Sequence, residues 1–185
     1  MDTQGIDQRL AARLRALRAE RGWSLDELAG LSSVSRATLS RLEKAEVSPT
    51  AQVLGKLGAA YGLTMSRLMH LVEGGFAPVI RADDQEVWTD PETGFTRRTL
   101  SPPAQGLAGE TVRGDLPAGQ AIAYSSPPRP GLEHHLVMLD GRLTVTVDGQ
   151  AHDLHPGDCL RYQLYGSSRF ETPADSAARY IIFIV

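Results

Sequence analysis

Residues Ser24 to Glu43 read SLDELAGLSSVSRATLSRLE, and this stretch decides the first half of the fold. Leu25, Leu28, Ala29 and Leu31 recur at helical spacing, and Ala37, Leu39 and Leu42 repeat it. Between the two runs, Leu31-Ser32-Ser33-Val34 ends one helix and starts the next. Ser24 and Ser35 stand where a serine oxygen can accept from an unpaired N–H of a first helical turn. Glu27 follows Ser24 by three residues, the spacing of a capping box. The stretch therefore predicts two short helices joined by a tight turn.

Working outward, Ile6 to Arg21 predicts a preceding amphipathic helix with Leu10, Leu14 and Leu17 on its apolar stripe. Gly22 stops it, and Trp23 can fold back on the stripe. After the loop Lys44–Pro49, Thr50 caps a fourth helix carrying Val53, Leu54, Leu57, Ala60 and Tyr61, with Gly62 as its stop. Thr64 caps a fifth, Met65 to Val72, offering Leu68, Met69 and Leu71 to a core. Five helices in the first 72 residues make a small bundle, and its apolar positions are expected to be core.

Glu73-Gly74-Gly75-Phe76-Ala77-Pro78 breaks this period. Beyond it come short extended segments, predicted at 79–82, 86–89, 95–100, 109–113, 120–124, 132–139, 142–147, 158–162, 169–171 and 178–185. Turn pairs such as Asp140-Gly141, Asp148-Gly149 and Pro156-Gly157 separate them. Many short strands at this spacing predict a sandwich or barrel. The terminal RYIIFIV predicts a strand buried on both faces. The domain reading is 7–73 helical, 74–78 linker and 79–185 strands, with the core of the second domain at 107–185.

The 185 residues suffice for one large or two small domains. A single cysteine, Cys159, can form no internal disulfide and predicts a buried, inert thiol in a reducing cytoplasm. The polar N-terminus has no apolar signal core, and no apolar run reaches the ~18 residues of a membrane helix. The net charge of −3 is unevenly spread. Residues 1–75 hold ten Lys/Arg against eight Asp/Glu, a net of +2, and the remainder nine against fourteen, a net of −5. Eight of those first ten are arginines, the better fork for phosphate and guanine edges.

Residues 7–72 resemble the DNA-binding domain of the lambda-repressor-like (Xre-type) regulators. The resemblance rests on Leu28 and Ala29, Val34 after the turn, Leu39, Leu42 and Glu43, and the downstream Ser48-Pro49-Thr50. It departs from the family at Leu25, where glutamine is frequent, and at Ser33, where glycine is. It implies that the second helix of the opening stretch lies in the major groove of double-stranded DNA. By position, Arg36, Ala37, Ser40 and Arg41 then face base edges. Ser35, Thr38, Lys44, Ser48 and Thr50 face phosphates. A homodimer is expected, its two reading helices about 34 Å apart on a two-fold-related operator.

Residues 107–185 resemble a cupin domain, a double-stranded β-helix barrel. Glu133 to Val145, containing Asp140-Gly141, and Leu154-His155-Pro156-Gly157-Asp158 carry that resemblance. The metal set of such domains is mostly missing: SPPRPG (126–131) stands where the first histidines belong, and His134 where the glutamate does. No metal, cofactor or catalytic residue is carried over. His134 shares side-chain parity with Leu136 and Met138, and these three are the candidate effector pocket. The resemblances together imply an α+β chain: a five-helix all-α DNA-binding bundle followed by an all-β barrel that senses a small molecule. The alternative is a metal-dependent cupin enzyme with an accessory DNA-binding module.

Overall fold

The computed structural model of the chain describes residues 3–69, 77–104 and 107–185. Five helices come first: α1 (Thr3–Glu20), α2 (Leu25–Ser32), α3 (Arg36–Leu42), α4 (Ala51–Tyr61) and α5 (Met65–Met69). The expected continuation of α5 through Val72, and most of the expected linker, lie outside the described residues. Among the described residues no helix is long and apolar enough to cross a membrane.

The boundaries follow from local chemistry. Ser24 and Glu27 close the capping box reciprocally: the Glu27 N–H donates to Ser24 Oγ at 3.1 Å, and the Ser24 N–H to Glu27 Oε2 at 2.7 Å. The Ser35 and Thr50 oxygens cap α3 and α4 in the same way. Gly62 ends α4 in the left-handed conformation at φ 69°. Ser33 ends α2 the same way at φ 54°, a geometry glycine takes freely and serine only with strain of about 1 kcal/mol.

Leu10, Leu14, Leu17, Leu28, Leu39, Leu42, Leu54, Leu57 and Leu68 form the bundle core. Leu31 does not join it: at 56 % exposure it stands on the surface. Trp23 stacks on Tyr61 of α4, ring centroids 5.4 Å apart, rather than lying on the α1 stripe alone. Burial, then the nearby Glu43 charge, pushes the Tyr61 hydroxyl up to about 12.

A single 3-10 turn, Ala82–Asp84, leads into ten strands. They are β1 (Val87–Thr89), β2 (Thr96–Ser101), β3 (Glu110–Leu116), β4 (Ala121–Tyr124), β5 (Leu132–Gly141), β6 (Leu143–Val147), β7 (Gln150–Leu154), β8 (Cys159–Leu164), β9 (Ser168–Glu171) and β10 (Ala178–Ile184). A six-stranded sheet has the order β1-β2-β3-β10-β5-β8, and a four-stranded sheet the order β4-β9-β6-β7. Every pairing is antiparallel. The sheets face each other as the two sides of an open barrel. Phe170 of β9 stacks on Tyr180 of β10 at 6.0 Å, and Tyr124 of β4 meets Phe170 edge-on at 6.2 Å. Gly114 makes room for Tyr180, because a Cβ there would come within 2.5 Å of its ring.

Four expectations change. Residues 79–82 form no strand; the segment runs into the 3-10 turn. β7 was not expected, because QAHDL buries only Leu154 and shows no apolar alternation. β10 is not buried on both faces: Tyr180, Ile182 and Ile184 point inward while Phe183 is 43 % exposed. Cys159 is an exposed thiol, because β8 pairs it with the outward Val137 of β5.

The helical and strand-rich halves are docked through buried polar groups. Asp90, in the turn between β1 and β2, accepts the Ala51 N–H at the start of α4 through Oδ2 at 2.5 Å. Its Oδ1 accepts from the Glu92 and Thr93 N–H groups at 2.8 and 3.0 Å. Arg97 of β2 donates to the Ser66 hydroxyl of α5. At the rim, Arg9 reaches Glu86 at 3.4 Å.

Candidate nucleic-acid interface and ligand cavity

α3 presents the side chains singled out above. Arg36, Ala37, Arg41 and Lys44 are exposed, and Thr38 and Ser40 are half-buried. Arg36 is held across the turn by Asp26, Nε to Oδ1 3.2 Å, both side chains largely in solvent. A tie of that kind is worth at most about 1 kcal/mol and yields easily to a stronger partner. Lys44 lies 3.9 Å from Glu46.

Part of the expected phosphate-facing set is engaged within the chain. Ser35 Oγ accepts the Thr38 N–H at 3.1 Å and also meets the Thr38 hydroxyl at 2.8 Å. Thr50 Oγ1 accepts the Val53 N–H at 3.2 Å. Ser48 donates to Asp7. These hydroxyls shape the ends of α3 and α4. Arg36, Arg41 and Lys44 are the charged groups left facing outward.

The C-terminus of α3 is fixed to α1. Arg18 meets Glu43 bidentately, Nε to Oε1 2.7 Å and Nη2 to Oε2 2.8 Å, and donates from Nη1 to the Trp23 carbonyl at 2.9 Å. Arg15 donates to the Glu43 carbonyl oxygen at 2.5 Å. The Glu43 hydrogen bond raises the Arg18 pKa, partly opposed by burial. The reading helix is therefore mounted at its start by a serine cap and at its end by an ion pair.

A second site lies between the sheets. A cavity of about 120 Å³, open in part to solvent, is walled by both sheets and by the helical half. Leu54, Gly55 and Gly58 of α4, followed by Leu63, Thr64 and Met65, form one side. Of the three pocket candidates only His134 lines the cavity. Leu136 and Met138 share its inward face, as their parity implied, but are packed in the core and do not border the space.

His134 is 8 % exposed. Its Nδ1 is 3.0 Å from the Tyr162 hydroxyl, and the two rings meet edge-to-face at 5.2 Å. Its Nε2 is buried with no hydrogen-bond partner among the described residues. Burial pulls the imidazole down to about 4 from an ordinary 6.5, so it is neutral at pH 7. Stability from the neutral ring is fully present above about pH 6.5. Below that the unfolded chain binds a proton the native chain refuses, and stability falls until about pH 4. The gap corresponds to on the order of 3 kcal/mol. Denaturant melts should show wild type losing about that much more than His134→Leu between pH 7 and pH 4; parallel losses would show that the ring titrates alike in both states.

Arg97, Tyr124 and Gly55 border the cavity and were not singled out in the sequence. One signal was available for Arg97. In TRRTL, period-two alternation turns one of two adjacent arginines inward, and a buried arginine demands a purpose. Among the described residues no three His, Cys, Asp or Glu side chains gather into a group that could hold a metal.

Residues 9–71 match the helix-turn-helix domain family HTH_31. Over 153 residues the chain is 30 % identical to the HTH-type transcriptional regulator SutR of Escherichia coli (strain K12), covering 83 % of this chain and 81 % of that protein. The crystal structure of an HTH_3 family transcriptional regulator from Vibrio cholerae superposes with a TM-score of 0.79 at 23 % identity, covering 99 % of this chain and 98 % of the other, so the fold is shared end to end. The Cupin_2 domain of an XRE family transcriptional regulator from Enterobacter cloacae aligns with 49 % of this chain and 94 % of its own, at 18 % identity and a TM-score of 0.46.

Proposed function

The chain belongs to the HTH-type transcriptional regulators, and we propose that it is of the XRE type with a cupin-like second domain, that it reads a specific duplex sequence with α3, and that a small molecule in the cavity sets how tightly it does so. The observation that carries the second half is the shared wall. α4 follows the reading helix by one loop and forms a side of the cavity, so filling the cavity acts on a helix of the DNA-binding bundle. A ligand shifts DNA affinity by its differential affinity for the two arrangements and by no more.

On this reading the chain is a sensor rather than an enzyme. It works as a homodimer, because one α3 offers few base contacts and two would read a two-fold site. Its place is the cytoplasm, where the DNA is. Selection of bound sequences from random duplex DNA, repeated with a metabolite extract, tests the proposal. The expected result is an enriched two-fold-related sequence whose recovery changes with the extract. Absence of enrichment under both conditions would remove the function.

The shared wall also yields a stability prediction. A Cβ at Gly55 would stand 2.5 Å from Tyr124 Cδ1. Forcing that contact costs roughly 1–3 kcal/mol, of which better helix propensity returns about 1. Gly55→Ala should therefore gain no stability and lose up to about 2 kcal/mol in denaturant melts, where an exposed helical glycine would instead gain about 1.

A further inference from the structure

The cavity contains a charge without a charged partner. Of its lining residues, two are arginines and none is aspartate or glutamate. Arg113 is paired with Asp115 at 2.9 Å. Arg97 has no ion-pair partner among the described residues: it is buried, and its hydrogen bonds go to the neutral hydroxyls of Ser66 and, at 3.4 Å, Thr99. Burial lowers its pKa, and Glu110 is the strongest attraction opposing this. Yet Glu110 is outside ion-pair distance, borders the adjoining cavity and leaves both its own oxygens unpartnered. A desolvated guanidinium facing an apolar space favours an anion. With the Glu110 charge already acting on this guanidinium, the site suits one negative charge rather than two.

The unpartnered His134 Nε2 is a second polar group facing the same space. Whichever tautomer the Tyr162 contact selects, Nε2 can donate to or accept from a hydroxyl. Arg97 stands on β2 and His134 on β5, with β3 and β10 between them. Three strand spacings of about 4.8 Å separate the two strands, so the groups suit opposite ends of one ligand. Between them the walls are apolar, including Leu54, Ile122, Leu132 and Phe170.

We propose that the cavity binds a small monocarboxylate with an apolar body, its carboxylate on the Arg97 guanidinium and a polar group at its far end on His134 Nε2. This rests on the reading of the chain as a ligand-controlled regulator, and it adds the ligand's chemical class. It also supplies a contact to the DNA-binding half, because a carboxylate on Arg97 competes with the Ser66 hydroxyl of α5.

Calorimetric titration of the full chain with hexanoate, hexanamide, hexylamine and 6-hydroxyhexanoate tests it. The expected result is saturable hexanoate binding, at least about tenfold weaker binding of the amide and the amine, and about fivefold tighter binding of the hydroxy acid. Arg97→Gln should abolish the preference for acid over amide. His134→Leu should abolish the hydroxyl gain and keep hexanoate binding. If Arg97→Gln does not fold, the acid-to-amide ratio of the wild type decides. An amide that binds as well as the acid, a tighter amine, or no saturable binding of either acid would overturn the proposal. The titration needs no DNA, so the two readings fail separately. Acid binding without any effect on DNA affinity removes the regulatory reading alone; an extract effect on DNA without acid binding removes the ligand class alone.

Discussion

Arg41→Ala should weaken binding to the selected sequence by about 5- to 150-fold, the worth of one bidentate guanine contact, while unrelated duplex is bound nearly as before. Arg41 is exposed on α3, and no ion pair occupies it among the described residues. Arg36→Ala should show a smaller loss, because releasing Arg36 from Asp26 already costs part of what a base contact returns. Lys44→Ala should weaken specific and unrelated duplex alike, and reduce the salt dependence by about one counterion. Fluorescence anisotropy on both duplexes at two salt concentrations separates these outcomes. Equal losses on both duplexes for Arg41→Ala would place that side chain on phosphate.

Glu43→Gln should destabilise the chain by about 1.5–3 kcal/mol, the worth of charge-assisted hydrogen bonds in a half-buried pair. Glu43 is buried, and its carboxylate fills both arms of the Arg18 fork. An amide offers one acceptor in place of two and leaves the half-buried guanidinium without its countercharge. Arg18→Met combined with Glu43→Leu should recover much of the loss, because the charge and its partner leave together. A double-mutant cycle by denaturant melts measures the coupling. Melts of Glu43→Gln that match wild type would mean that the carboxylate is held there for DNA binding alone.

The helical half was readable because its signals are local. A capping box, two serine caps and the Gly62 stop fall within a few residues of the boundaries they set. Ser33 was the hard position: its left-handed backbone is what the family's usual glycine would supply, and only coordinates reveal that serine accepts it. In the strand-rich half, side-chain parity gave His134, Leu136 and Met138 of Leu132–Gly141 their shared inward face. It failed at Gln150–Leu154, an edge strand with nothing apolar to alternate. It also failed at Phe183, where an apolar run concealed an exposed outer face.

The α3 side chains could be named in advance because one short helix carries them all. The cavity could not, since Gly55, Arg97, Tyr124 and His134 come from α4, β2, β4 and β5. No sequence spacing encodes their convergence. His134 was found by parity alone, and the same parity also picked Leu136 and Met138, which turned out to be packing.

On the proposed function, the cavity wall and the helical bundle form one mechanical unit. This is tested most directly by the operator affinities of wild type and Gly55→Ala, measured side by side under conditions where both are folded. Gly55 packs on Tyr124 of the strand-rich half and lies on no part of α3. The account predicts that the wedge shifts affinity at least about fivefold, the scale of a small allosteric coupling. Unchanged affinity in a folded variant would contradict it.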